Sequence, residues 1–449
     1  MKKVITYGTY DLLHQGHVNL LKRAKELGDY LIVGVTNDSF DRERGKLNVR
    51  NNVLERVDAV RDTGLADQIV IEDYIGQKID DIQKYDVDIF AIGSDWEGKF
   101  DYLKEYCEVV YLPRTEGISS TMLRSESEEV VSIGVAGCGR IARRFVPETD
   151  KVDSAVVTSV YDVDPAAAAS IAEGQEVNVC SDYEELVAAV DAVYIATPHV
   201  FHYEQAKYAL EQGKHVLCET PLVLDGQQAR ELYALAESKG LVLLEANKTA
   251  FSPAFRHMVT LVKSGLIGDV VGIDASESKL WGDENLKREL DPALAGGSLY
   301  EMGSYPLLPI AKLLGTEYLN INIYSRMNDN GVDVYTRGVI MHQKAVSSFQ
   351  LGLGVKTEGD LVVSGTKGYV YVPSPWWKTD YFELRYEDQN KNKKYFYTWD
   401  EPGLRYEIQE FVSCIVNSRM VSSRLTPKES IFMADVMHQF AQRKNFFEI

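Results

Sequence analysis

The chain has 449 residues, 45% of them hydrophobic, and a formal net charge of −19. Such a length supports two or three domains with separate cores, and the acidic balance excludes nucleic acid or an acidic membrane as partner, since either needs a basic face. The scattered cysteines, Cys107, Cys138, Cys180, Cys218 and Cys414, show no Cys-x-x-Cys spacing. With no signal-peptide pattern and no apolar run of bilayer length, they predict reduced thiols and a cytoplasmic protein without membrane insertion.

The first predicted strand, Val4 to Tyr7, runs into Gly8-Thr9-Tyr10-Asp11-Leu12-Leu13-His14-Gln15-Gly16-His17. Val18, Leu20, Leu21, Ala24 and Leu27 then repeat at helical spacing, which places His14 and His17 on the first helical turn. Unpaired N–H groups and the dipole at a helix start favour phosphate. Two imidazole donors there suit attack on a nucleotide α-phosphorus, chemistry that depends on positioning and charge stabilisation. Two later motifs, Gly93-Ser94-Asp95-Trp96-Glu97-Gly98-Lys99-Phe100-Asp101 and Arg114-Thr115-Glu116-Gly117-Ile118-Ser119-Ser120-Thr121, follow in order.

On these motifs the first 126 residues resemble a glycerol-3-phosphate cytidylyltransferase, which joins CTP to a polyol phosphate with loss of pyrophosphate. The resemblance implies a Rossmann-like α/β domain. It also implies a nucleotide site of Gly8, Thr9, Tyr10, Asp11, Gly16, Asp95, Thr115, Ser119 and Thr121, with His14, His17, Lys46 and Arg114 catalytic. Arg114 and the nearby hydroxyls can hold triphosphate oxygens, and Lys46 can close over them beside Arg44. Arg56 and Lys78 are expected at the acceptor phosphate. Mg²⁺ is implied, held by phosphate oxygens and not by a protein metal cage. Gln15 stands where the family often has Trp, and Ser94 where it is commonly acidic.

After the polar run Ser125 to Glu129 a new strand begins at Val130 and leads to Gly137-Cys138-Gly139-Arg140-Ile141-Ala142, a Gly-x-Gly-x-x-Ala turn between strand and helix. A second strand, Ala155 to Tyr161, ends at Asp162, whose carboxylate can accept from a ribose 2′-OH; NAD(H) is thus expected over NADP(H). Ala192 to His199 with His202, Gly213 to Pro221, and Glu245 to Phe251 resemble segments of the Gfo/Idh/MocA oxidoreductases. The resemblance implies a dinucleotide-binding Rossmann domain over 130–254. A mainly antiparallel open-sheet α+β domain follows over 255–403, with helices of 404–449 returning to the Rossmann part. Cofactor contacts are expected from Gly137, Gly139, Arg140, Ile141, Asp162, Thr197, Pro198, His202 and Glu219, and a homo-oligomer is expected.

The usual Glu-Lys-Pro reads Glu219-Thr220-Pro221, and Glu301 and Tyr305 stand where the family has Asp and His. The expectation is that Lys248 lowers the pKa of Tyr305 and that both, with Glu301, move the proton during hydride exchange. A salt bridge at the cleft rim is an equal alternative for Lys248. His215 reads as structural, and His257, His342 and His438 join no constellation. The expected whole is a bifunctional enzyme: a reductase making a polyol phosphate and a transferase activating it with CTP. Use of ATP by the first half, and a redox-silent NAD-sensing or scaffolding second half, remain open.

Overall fold

The computed structural model describes the chain except residues 12, 14, 38–39, 42–48, 50–52, 75, 114–129, 153, 281–287 and 398–401, and the side chains of 54 and 55. His14, Lys46, Arg114, Thr115, Ser119 and Thr121 lie outside the described residues. The chain divides into two compact units, Met1–Glu129 and Val130–Ile449.

The first unit is a parallel sheet of β1 (Lys3–Gly8), β2 (Tyr30–Thr36), β3 (Gln68–Glu72), β4 (Ile89–Gly93) and β5 (Glu108–Leu112). Its order is β3-β2-β1-β4-β5. Central β1 is apolar on both sides because each side is covered: Val4 packs with Leu21, Ala24 and Val33, whereas Ile5 and Tyr7 pack with Ile82 and Phe90. The helix Gln15–Glu26 follows β1 and turns Leu21 and Ala24 into that core.

In the second unit, β6 (Val131–Ala136), β7 (Ala155–Tyr161), β8 (Asn178–Val179), β9 (Ala192–Ile195), β10 (His215–Glu219) and β11 (Leu243–Ala246) form a parallel sheet. Their order β11-β10-β9-β6-β7-β8 reverses direction at β6, the topological switch point where such folds bind ligands. Helices begin after capping aspartates, as at Asp164, Asp182 and Asp225, whose side chains accept from backbone N–H groups two or three residues on.

The chain then builds a nine-stranded mixed sheet from β12 (Val270–Lys279), β13 (Asn320–Met327), β14 (Asp333–Met341), β15 (Val346–Leu353), β16 (Leu361–Gly365), β17 (Tyr369–Val372), β18 (Tyr381–Arg385), β19 (Lys393–Phe396) and β20 (Phe446–Glu448). Most pairings are antiparallel, but β12 with β15 and β13 with β20 are parallel. One face is apolar: Ile273, Phe349, Leu351, Val363 and Phe382 join the core formed with the helix Ser304–Leu314 and the first Rossmann strands.

The carboxyl-terminal helices tie the two sheets together. Arg405, which opens the helix Arg405–Val416, meets Glu148 of the helix Ala142–Thr149 through Nε at 3.0 Å and Nη2 at 2.9 Å. The helix Pro427–Ala441 is clamped to Gly226–Lys239 by Arg230, whose nitrogens lie 3.0 and 2.6 Å from the Asp435 oxygens. The final residues do not rest on the Rossmann part: β20 pairs with β13 at the edge of the large sheet.

Glu148 is 1% exposed. Burial alone would raise its pKa, and the bonds from Arg405 and Lys151 bring it below the usual glutamate value. Removing one partner of such a pair strands a buried charge. Arg405→Ala is therefore expected to cost the second unit about 3 kcal/mol in urea unfolding, with Glu148→Gln/Arg405→Ala recovering part of it.

Candidate active sites

In the first unit the chain leaves β1 at Gly8 and must turn within a few residues into the helix Gln15–Glu26. Tyr10 takes a positive φ of 55°, uncommon for a side chain of its size. It is 1% exposed, with its ring centroid 5.5 Å from that of His17 in an edge-on arrangement. Beneath this turn sits Arg56, also 1% exposed. Its Nη1 lies 2.7 Å from the Thr9 carbonyl, 2.8 Å from the Thr36 carbonyl and 3.2 Å from Asp41 Oδ2. Thr9 Oγ1 donates to Asp41 Oδ1 at 2.9 Å. One buried guanidinium thus joins the ends of β1 and β2 and fixes the turn that carries His17.

This corrects the expectation that Arg56 meets an acceptor phosphate: its guanidinium is engaged by the protein itself, so it positions the turn. Lys78 is paired with Glu72 and lies 4.6 Å from the Tyr7 ring centroid, with its side chain 12% exposed. Tyr7 in turn donates to Asp81 at 2.7 Å. Asp95 is exposed in the turn Ser94–Trp96, which follows β4 as Gly8 closes β1, so both lie at carboxyl ends of neighbouring strands. Gly16 falls on the first helical turn with His17, and Asp11 is 3% exposed beside them.

In the second unit Gly137 has φ +91°, and a Cβ there would lie 2.6 Å from the Ala196 carbonyl. At Gly139 a Cβ would meet nothing within 4 Å, so the backbone is bare where a pyrophosphate must approach. Arg140 is exposed and Ile141 partly buried at the entry to the helix Ala142–Thr149. Asp162 steadies this turn: Oδ2 accepts from Cys138 N–H at 2.7 Å, and Oδ1 accepts from Asp164 N–H at 2.8 Å. Each oxygen keeps a second lone pair for a ribose hydroxyl. These features fit a dinucleotide.

Thr197 and Pro198 follow β9, and Thr197 donates to Gln205 Oε1 at 2.6 Å. His202 is fully buried, its Nδ1 2.9 Å from the Pro221 carbonyl and its Nε2 2.9 Å from the Thr197 carbonyl. The ring staples two loops together, and both its nitrogens are spent on backbone carbonyls, contrary to the expected cofactor contact. Thr220, in the place of the family lysine, donates to Glu245 Oε1 at 2.7 Å.

Around Lys248 the structure gathers Glu219, which the motifs named, with Glu277 and Glu407, which they did not. Burial lowers the Lys248 pKa, opposed first by Glu407 and then by Glu219 and Glu277. Glu219 accepts from the Tyr194 hydroxyl. Glu277 and Glu407 are 1% and 0% exposed. Tyr305 is held well above the ordinary phenol value by burial, then by Glu219, Glu277 and Glu407. The expected lowering of its pKa by Lys248 is therefore reversed: burial first, and the neighbouring acids after it, keep the phenol protonated. Glu301 belongs to a neighbouring group, bonded to Arg288 at 2.6 Å with His199 Nδ1 at 3.8 Å.

One signal for Glu277 was present, since it shares the inward alternation of Ile273 and Ala275 along β12. Glu407 carried none, because its helix is buried on nearly every side.

Comparison with known proteins agrees with this division. The cytidylyltransferase-like family matches residues 5–126, the oxidoreductase family with an NAD-binding Rossmann fold matches 131–247, and the GFO/IDH/MocA C-terminal domain matches 255–371. A glycerol-3-phosphate cytidylyltransferase of Bacillus spizizenii is 53% identical over 131 residues, 28% of this chain and 97% of that protein. A trans-1,2-dihydrobenzene-1,2-diol dehydrogenase of Oryctolagus cuniculus is 30% identical over 325 residues, covering 68% of this chain and 96% of that protein. In fold, the 3-ketoreductase KijD10 of Actinomadura kijaniata, in complex with NADP and TDP-benzene, matches with a TM-score of 0.64 at 23% identity, covering 71% of this chain and 98% of that one.

A nucleotidyltransferase and a dinucleotide-binding oxidoreductase are thus joined in one enzyme. The chain belongs to the glycerol-3-phosphate cytidylyltransferase family in its first unit and to the Gfo/Idh/MocA oxidoreductase family in its second.

Arg56→Lys keeps the charge but not the fork that reaches two carbonyls and a carboxylate together. It is expected to destabilise the first unit by about 2–3 kcal/mol in urea unfolding and to lower its kcat/KM more than the loss of folded protein accounts for.

Proposed function

We propose that the first unit transfers a cytidylyl group from CTP to a polyol phosphate, releasing pyrophosphate and forming a CDP-polyol. The observation that carries this reading is the His17 turn at the end of β1, held by the buried Arg56–Asp41 pair. The acceptor's phosphate oxygen attacks the α-phosphorus as the bond to pyrophosphate breaks. His17, with His14, donates hydrogen bonds to the oxygens whose charge grows. Arg114, Thr115, Ser119 and Thr121 hold the triphosphate, Lys46 closes over it, and Lys78 meets the acceptor. Mg²⁺, when bound with the nucleotide, would supply charge neutralisation. The 53% identical Bacillus relative, a glycerol-3-phosphate cytidylyltransferase, supports CTP and a glycerol-phosphate-like acceptor.

The second unit, in this reading, reduces a keto or sugar phosphate to the polyol phosphate. A bound nicotinamide dinucleotide supplies the hydride; Asp162 favours NAD(H), although a Bacillus subtilis relative is named as an NADP(+) enzyme. Tyr305, kept protonated, donates to the carbonyl oxygen, and Lys248 restores the proton. Lys248 is already matched by the acidic side chains near it, so the substrate's phosphate lies toward Arg288, Lys279 and Lys378. The protein stays in the cytoplasm, where CTP and reduced dinucleotide are available, and acts as a homo-oligomer.

A redox-silent second unit is the other reading, favoured by Thr220: its hydroxyl is spent on Glu245 and supplies no cation.

With CTP, Mg²⁺ and a panel of polyol phosphates, His17→Ala is expected to lower pyrophosphate release about 10²–10³-fold. With NADH and a panel of keto and sugar phosphates, Lys248→Ala and Tyr305→Phe are expected to abolish NADH oxidation. Turnover unchanged in both would remove the proton-transfer assignment, and no NADH oxidation by the wild type would favour the silent unit.

A further inference from the structure

The carboxyl end of β9 to β11 carries more buried acid than proton transfer to one substrate requires. Glu219 closes β10, Glu277 reaches in from β12, and Glu407 comes from the helix Arg405–Val416. Among the described residues neither oxygen of Glu407 has a hydrogen-bond partner, and Glu277 Oε2 has none. Asn247 Oδ1 and Ser304 Oγ are also buried without partners among the described residues, while Asn247 Nδ2 reaches the Ser304 carbonyl at 3.4 Å. These are groups built to face something other than the protein's own donors.

Their neighbours set the charge. Lys248 stands between Glu407, Glu219 and Glu277; Lys378 repels it, and Lys279 tempers Glu277. The phenols are Tyr194, bonded to Glu219, and Tyr305. Glu245 accepts from Thr220 and the Leu222 N–H through Oε1, and it adds to the raising of Glu219 and Tyr305. Across from Glu407, Glu148 is neutralised by Arg405 and Lys151. Burial raises Glu219 and Glu277 to about 7 and Glu407 well above its ordinary value.

The glycine turn after β6 places the pyrophosphate, and Asp162 places the adenosine over β7. The nicotinamide half must therefore lie on the other side of the switch point, over β9 to β11. We propose that Glu219, Glu277 and Glu407 form a carboxyl cluster that reads the charge of the nicotinamide ring, so that the second unit binds oxidised dinucleotide in preference to reduced and releases a proton as it does so. The inference rests on the reading that this unit takes a nicotinamide dinucleotide.

The sign follows from the ring. The oxidised ring carries a positive charge that the reduced ring lacks. That charge lowers the pKa of each facing carboxyl and of Lys248, so a proton leaves whichever member gives it up. Affinity for the oxidised form then rises with pH through about 7, and affinity for the reduced form does not. Linkage caps the rise at about tenfold per pH unit for each proton released.

Titration calorimetry of the full chain tests this with NAD⁺, NADH, NADP⁺ and NADPH, in phosphate and in Tris at pH 7. The oxidised form that binds is expected to release about half to one proton, its reduced partner about none, and its relative affinity to rise roughly fivefold to tenfold from pH 6 to pH 8. Glu407→Gln, with its urea unfolding as the check on its fold, is expected to flatten the pH dependence to within about twofold. Buffer-independent heats and a constant affinity ratio, with both forms bound, would overturn the cluster's role. If no dinucleotide binds at any pH, the dinucleotide reading falls and the inference with it. Should Glu407→Gln not fold, the wild-type calorimetry alone decides.

Discussion

A parallel sheet gathers the carboxyl ends of all its strands, and the starts of the helices that follow them, on one edge. Everything functional in this chain depends on that constraint. In the first unit it sets the Thr9–Asp11 turn and Asp95 at the ends of neighbouring strands β1 and β4. In the second it sets the glycine turn, Asp162, Thr197, Glu219 and Lys248 at the ends of β6, β7, β9, β10 and β11. A protein with a net charge of −19 can still hold polyanions there, because oriented backbone N–H groups supply positive potential that composition does not count.

The two edges handle buried charge differently. Under the first, Arg56 and Asp41 are both fully buried and satisfy one another and two carbonyls. Such a pair adds little net stability but fixes one arrangement of the turn, and losing either partner is costly. Under the second edge, acid outnumbers base: Glu219, Glu277 and Glu407 all act on Lys248, and among the described residues their oxygens are not all satisfied by the protein. A site left short of donors is poised to respond to a ligand that brings charge, whereas a satisfied pair is poised to stay as it is.

Much of this was legible in the order of residues. Strand, glycine turn, helix and acidic residue follow one another between Val131 and Asp162, and each has a local physical cause. His17 was placed by helical spacing alone, and the alternation of β12 already put Glu277 on the inner face. The misreadings share another cause. Arg56 looks like any cation on an amphipathic helix; only the fold brings Asp41 and the Thr9 and Thr36 carbonyls around it. His202 followed a cofactor-lining loop, and its ring proved to join two backbone carbonyls distant in sequence. Tyr305 was paired with a nearby cation, while burial, and acids arriving from β10, β12 and the helix Arg405–Val416, set its state. Local pattern reports where a side chain starts, and long-range packing decides what it meets.

The central claim is that one chain makes a polyol phosphate and then activates it. The direct measurement offers a keto or sugar phosphate with CTP, Mg²⁺ and reduced dinucleotide, and counts dinucleotide oxidised against pyrophosphate released. The account predicts equal amounts of each and no pyrophosphate when the dinucleotide is withheld. Pyrophosphate from supplied polyol phosphates alone, with no dinucleotide oxidised on any compound of the panel, would contradict it.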